Sequence, residues 1–213
     1  MIIGLDVGGT HTDVVLLGEG GLLREIKVPT DSQDLFRTIL KGLDGITAEI
    51  DPAGIQRAVL STTLTTNTII QKRTAPVGMI VSAGPGIDPE LFRTNDHYYP
   101  VAGCMDHRGR EIKPIDPEEV RKIADRLATA GIRQVGVVGK FSQRNPDHEL
   151  AIADLLEDRF DTLFLGHRIS GDLNFPRRIA TTFLNASVYP VHKDFFEAVQ
   201  RRPMIDSPAR CTT

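Results

Sequence analysis

Glycine clusters cut the first 29 residues into three short apolar runs, Ile2 to Val7, Thr12 to Leu17 and Leu22 to Val28, with Gly8-Gly9 in the first gap and Gly18-Glu19-Gly20-Gly21 in the second. Gly-rich breaks between β-branched runs predict a meander: strand, tight hairpin, strand, hairpin, strand. Pro29 ends it. Asp31 or Ser32 then caps a helix whose Leu35, Phe36, Ile39, Leu40 and Leu43 form one apolar stripe at three-to-four-residue spacing. Gly42 and Gly45 weaken its far end.

Downstream, strands alternate with helices, a pattern that favours a mostly parallel sheet covered by helices. Arg57 to Leu60 and Val77 to Val81 read as strands, with a short helix near residues 65–72 between them. The stretch 82–114, rich in Gly, Pro and polar residues, reads as a polar excursion or small inserted subdomain. Asp116 caps a new helix with Pro117 at its first position and Glu119 completing a capping box, and Gly131 stops it. Gln134 to Val138 is a buried strand, Asn145-Pro146 opens a further helix, and Thr162 to Leu165 is another strand. A long helix runs from about Pro176 towards Val199 with a break or kink at Pro190. Three meander strands followed by this alternation make an α/β chain with the order of a ribonuclease-H-like lobe. The lobe is expected over residues 1–200, with 201–213 a Pro-broken tail that is disordered or a cut end.

A chain of 213 residues buries roughly 70% of its unfolded surface, enough for a core of its own. Its 25 basic and 28 acidic residues give a net charge of -3 without a long run of either sign, which argues against a nucleic-acid groove or a membrane surface and leaves small molecules as partners. No window approaches the length of a membrane span, so the expected location is the cytoplasm. Cys104 and Cys211 are far apart and lack metal-ligand spacing.

The segment Asp6-Val7-Gly8-Gly9-Thr10-His11-Thr12-Asp13 holds the strongest chemistry. Gly8 and Gly9 turn the backbone without a Cβ penalty and let N–H groups approach a phosphate, while Thr10 and Thr12 add hydroxyls. Asp6, ending the first strand, suits Mg2+, which prefers oxygen ligands and keeps several waters beside nucleotide phosphates. The same residues also suit an ordinary hairpin, the glycines serving the turn and the threonines the strand. The spacings of the P-loop and of the dinucleotide loop are absent. Thr62, Thr63, Thr66 and Asn67 follow a strand and lead a helix, where they face a cleft or cap the helix. His148 and Glu149 read as first-turn residues complementing the helix dipole. His97, Asp106 and His107 read as solvated loop residues, and His11 as a possible donor to an anion.

Asp6 to Asp13 resembles the first phosphate motif of the hydantoinase/oxoprolinase family within the actin-like ATPase superfamily. Three more segments resemble that family in order: Ser61 to Ile70 its Thr-Thr-x-x-Thr-Asn stretch, Asn145 to Glu149 its Asn-Pro-x-His-Glu helix start, and Arg178 to Ala186 its closing helix. His11 replaces the usual aromatic, Ser61 a common glycine, and 167–178 lacks most of the family's acidic residues, so substrate identity does not transfer. The resemblance implies an ATP-dependent hydrolase in which ATP phosphorylates an amide, lactam or carbonyl oxygen of a hydantoin, lactam or similar small molecule. It places ATP on Gly8, Gly9, Thr10, His11 and Thr12, Mg2+ on Asp6, and catalytic or substrate contacts on Asp6, Asp13, Thr63 and Asn67. It also implies a second ATPase lobe or partner subunit, without which this lobe is inactive. A sugar-kinase-like ATPase lobe and a non-catalytic scaffold keeping the fold are the alternatives.

Overall fold

Three strands, β1 (Ile2–Val7), β2 (His11–Gly18) and β3 (Gly21–Pro29), form the expected meander, each antiparallel to the next. The computed structural model describes residues 1–31 and 34–200. It divides into a first unit, Met1–Arg73 with the chain from Pro190 onward, and a second, Thr74–Tyr189. The tail 201–213, Cys211 and the candidate cap Ser32 lie outside the described residues.

In the first unit, α1 (Leu35–Thr47) is followed by β4 (Arg57–Thr62), which adds parallel to β1 and gives the order β3-β2-β1-β4, and by the short α2 (Leu64–Ile70). Alternation sends Ile3, Leu5, Val7, Val14 and Leu16 to one face, where they bury against Leu35, Ile39 and Ile46 of α1. Asp34 caps α1, its carboxylate accepting from the Arg37 N–H at 2.9 Å. Gly42 and Gly45 do not fray the helix. A Cβ at either would come within 2.9 Å of Val14 or 2.8 Å of Ile26, so the two glycines let α1 lie close on the sheet.

The second unit contains β5 (Val77–Ser82), β6 (Tyr98–Val101), a hairpin of β7 (Cys104–Met105) and β8 (Glu111–Lys113), α3 (Pro117–Thr129), β9 (Gln134–Gly139), α4 (Asp147–Leu156), β10 (Thr162–Leu165) and the single turn α5 (Gly166–Ile169). Its main sheet, β10-β9-β5-β6, is parallel throughout. Every residue of β5 and β9 is buried, which is why both read as unbroken apolar runs. Val135, Val137 and Ile80 pack against Val120, Ile123 and Leu127 of α3 and Ile152 and Leu156 of α4. Val77, Met79, Val81 and Val138 pack on the opposite face with Phe175, Ile179 and Ala186 of α6 (Phe175–Gln200).

The stretch 82–114 contributes the edge strand β6 and the hairpin to this unit; Pro100 is tolerated because β6 lies at the sheet edge. Pro190 lies inside a continuous α6, at the residue where the two units divide. Asp116 does cap α3, but Glu119 accepts from the Ala102 N–H at 2.9 Å instead of closing a capping box. No described helix is long and apolar enough to cross a membrane.

Candidate functional site

The turn between β1 and β2 is built from Gly8, Gly9 and Thr10. The Gly8 N–H donates to the His11 carbonyl at 3.0 Å and closes the turn, and the Thr10 carbonyl accepts from the Thr30 N–H at 2.9 Å. Gly8 is therefore engaged by the fold itself, whereas the Gly9 and Thr10 N–H groups have no backbone partner among the described residues. A Cβ on Gly8 would lie 2.8 Å from the His11 carbonyl oxygen, a contact with backbone that no rotamer relieves.

The start of α2 hangs from the same place. The Thr62 hydroxyl donates to the Val7 carbonyl at 2.8 Å and accepts from the Leu64 N–H at 3.1 Å, while Thr63, the N-cap residue, makes no side-chain cap of its own. The Thr63 N–H also reaches the Val7 carbonyl. One turn on, the Asn67 amide donates to the Thr63 hydroxyl at 3.3 Å and stands so close to Gly9 that a Cβ there would come within 2.9 Å of its nitrogen. Thr63 and Asn67 thus face the glycine turn.

Beside the turn, cross-strand register sets Lys27, Asp13, Asp6 and Ser61 in one row across all four strands, on the face opposite the core. Neighbouring Cβ atoms in such a row lie about 5 Å apart, and like charges directly opposite destabilise the pairing. Lys27 neutralises Asp13 through a 3.0 Å ion pair. Asp6 is exposed and has no such partner among the described residues.

His11 is exposed at the loop, its Nδ1 3.3 Å from the Thr10 hydroxyl. Thr12 is fully buried, and its hydroxyl pairs with Thr30 at 2.9 Å on the core side, where it steadies the strand and does not face the turn. The structure therefore gathers Asp6, Gly8, Gly9, Thr10, His11, Asp13, Thr63 and Asn67, and sets Thr12 behind them.

His97, Asp106 and His107 join no group of three potential ligands among the described residues. Asp106 instead accepts from the Arg110 and Arg108 N–H groups and the Arg110 side chain. These bonds, the Arg110 N–H first, hold its carboxyl down to about 2.

Glu149, expected to complement its helix dipole, is wholly buried. One carboxylate oxygen accepts from the Gly139 N–H at 2.8 Å; the other accepts from the His167 N–H at 2.9 Å and pairs with His167 Nδ1 at 2.6 Å. Arg178, equally buried, donates to the Gly139 carbonyl at 2.7 Å and to the Asp172 carbonyl at 2.7 Å. Burial pushes its guanidinium below its ordinary pKa, and Glu149 and Asp172 pull the other way. Sequence spacing gave no sign of this network because its members come from four separate elements.

Comparison with known proteins places this geometry. The structure aligns over 94% of the chain with nucleotide-free acetone carboxylase, of ATP-dependent acetone carboxylation, at a TM-score of 0.80 and 18% identity, covering 34% of that protein. It aligns with the ATP-dependent caprolactamase of Pseudomonas jessenii at a TM-score of 0.73 and 23% identity, covering 94% of this chain and 33% of that one. These similarities show that the chain shares the fold of the matching third of those two proteins. In sequence, the caprolactamase subunit alpha of the same organism is 24% identical over 225 residues, 92% of this chain and 32% of the relative. The chain spans about a third of the length of these relatives. The family description "Hydantoinase/oxoprolinase N-terminal region" matches residues 2–160, which include three of the four segments singled out above, Arg178 to Ala186 lying beyond. The chain belongs to the hydantoinase/oxoprolinase N-terminal region family.

Proposed function

We propose that this chain is the phosphate-binding lobe of an ATP-dependent enzyme that activates a cyclic amide or a related carbonyl compound, and that it needs a second lobe or partner subunit to turn over. The observation that carries the proposal is the pairing of a turn with unengaged Gly9 and Thr10 N–H groups and an unpartnered Asp6 carboxylate in the adjoining cross-strand row. Amides pointing out of a glycine turn bind anions, and an exposed carboxylate beside them suits a magnesium ion that also touches phosphate oxygens. Magnesium is commonly held by one or two carboxylates together with waters and phosphate oxygens, which the exposed Asp6 carboxylate suits.

Bound ATP would supply a phosphoryl group to the amide oxygen, which would open the carbonyl carbon to attack by water so that the C–N bond breaks and the ring nitrogen leaves as an amine. This chain's own part is to orient the triphosphate with the Gly9 and Thr10 N–H groups and the Thr10 hydroxyl, to hold with Asp6 a magnesium ion that would offset the phosphate charge, and to hold the site's edge with Thr63 and Asn67, while Asp13 stays paired with Lys27. Such positioning and electrostatics are the main work of phosphoryl-transfer sites. Hydrolysis of a cyclic amide is the reading favoured by the caprolactamase likeness.

Calorimetric titration with Mg-ATP tests the reading. One lobe contacts one side of a nucleotide, so the expected heat is weak but saturable. Asp6→Ala is expected to cut the affinity roughly tenfold or more, the scale of a charge-assisted contact. It should not lower the melting temperature, because it relieves repulsion from Asp13. No saturable heat with the unaltered protein, or unchanged affinity in Asp6→Ala, overturns the proposal.

A further inference from the structure

In the second unit the chain passes from β5 to β6 on one side and then returns to place β9 on the other, giving the order β10-β9-β5-β6. The connections leaving the carboxyl ends of β5 and β9 therefore diverge. In open parallel sheets this switch point is where ligands bind.

What stands there is polar and in part unsatisfied. Ser82 and Gly139 end the two strands side by side. The Lys140 N–H donates to the Ser82 carbonyl at 2.7 Å, and the Lys140 ammonium donates to the Pro85 carbonyl at 3.0 Å, which aims it over the β5 exit loop. Two of its three protons remain for another acceptor. In that loop Gly84 and Gly86 adopt φ of +71° and +87°, and the Lys140 ammonium is 4.0 Å from where a Gly86 Cβ would stand.

Gly139 leaves a methyl-sized gap: a Cβ there would lie 3.4 Å from the Ser82 hydroxyl, 3.5 Å from Ser142 Cβ and 3.6 Å from Glu149 Cγ. Ser142 is 3% exposed, yet its hydroxyl has no hydrogen-bond partner. Its N–H is fixed on the Gly139 carbonyl at 3.3 Å, the same oxygen that takes the Arg178 guanidinium, and Arg178 Nε is also buried without a partner. Buried donors left unpaired are costly and rare, and they call for a ligand where they cluster. Arg178 faces the charges of Glu149, whose oxygens are already taken by three N–H donors, and of Asp172, which is paired with Arg177, so the Lys140 ammonium is the charge left to draw an anion.

We propose that the carboxyl ends of β5 and β9 form a second small-molecule site, which takes a small oxyanion, phosphoryl or carboxylate, between the Lys140 ammonium, the Ser142 hydroxyl and the Gly84–Gly86 loop. The proposal uses residues of the second unit alone and does not rest on the nucleotide reading. Glu149, His167 and Arg178 are positioning residues that fix both polar groups of Gly139.

The experiment follows the backbone amide resonances of Gly84 and Gly86 in the full 213-residue protein, with Gly9→Val added so that the turn of the first unit does not compete. Inorganic phosphate and acetate are titrated separately at constant ionic strength. Saturable movement of both amides is expected with at least one anion in the millimolar range, and the stronger of the two identifies the ligand class. Lys140→Met should weaken it roughly tenfold or more. Ser142→Ala should weaken it too while melting no lower than the parent, since it removes a hydroxyl that has no partner. A purely structural serine would not couple to the anion. Absence of saturable movement with both anions, or affinity unchanged in Lys140→Met or in Ser142→Ala, overturns the site.

Discussion

Glu149→Ala is expected to destabilise the second unit by about 3–5 kcal/mol, because it strips the acceptor from several N–H donors at about 1–3 kcal/mol for each one left buried and unsatisfied. The carboxylate satisfies the N–H groups of Gly139 and His167 and the His167 ring at once, and it lies among the charges that Arg178 feels. Alanine would leave those donors bare and the guanidinium uncompensated, in a place from which water is excluded. For a chain of this size each kcal/mol moves the melting point by roughly 2–4 °C, so a fall on the order of 10 °C is expected in thermal unfolding. Glu149→Gln keeps the shape but turns one acceptor into a donor facing an N–H. It should fall between the two. A carboxylate that merely complemented its helix dipole would lose about 0.3–1 kcal/mol, and a change that small would remove the network from this account.

Gly8→Ala should harm the first unit more than Gly9→Ala, although the two glycines are adjacent. The added Cβ at Gly8 meets the His11 carbonyl oxygen at 2.8 Å, and that carbonyl already accepts the Gly8 N–H that closes the turn. Backbone must shift, at about 1–3 kcal/mol for an overpacked position, and the turn loses its shape. At Gly9 the obstacle is the amide tip of Asn67, which can swing aside. Gly9→Ala should therefore melt close to the parent while binding nucleotide more weakly, because Asn67 leaves the turn's edge. Equal melting points for the two variants would contradict this difference in surroundings.

Much of this was legible from the sequence. Short β-branched runs with glycine gaps specify the meander, since a two-fold side-chain period with one buried face fixes strand and register together. Asp116-Pro117 and Gly131 bound α3 because caps act through local hydrogen bonds and dihedral preference. The capping role of Asp34 was displaced onto Asp31 because the spacing allows either, and the choice depends on Asp31 donating its N–H to Thr38. Strand β6 escaped notice because it is four residues long and Pro100 interrupts it, a residue tolerated only at a sheet edge. In the site, Asp6, the glycines and the Thr63–Asn67 pair were visible as residue types. Lys27 was not, because its place beside Asp13 depends on the β2–β3 register, which shifts at Leu16 and Leu17. The burial of Glu149 was illegible for a related reason: in sequence it is one of two acids in a first helical turn, and only the tertiary position of Gly139 and His167 draws it inward.

If the turn after β1 holds an anion with its own amides, the Gly9 and Thr10 amide resonances respond to Mg-ATP. Saturable downfield movement of both, lost in Gly8→Ala, is the predicted result. Nucleotide binding that leaves those two amides unmoved would contradict the account.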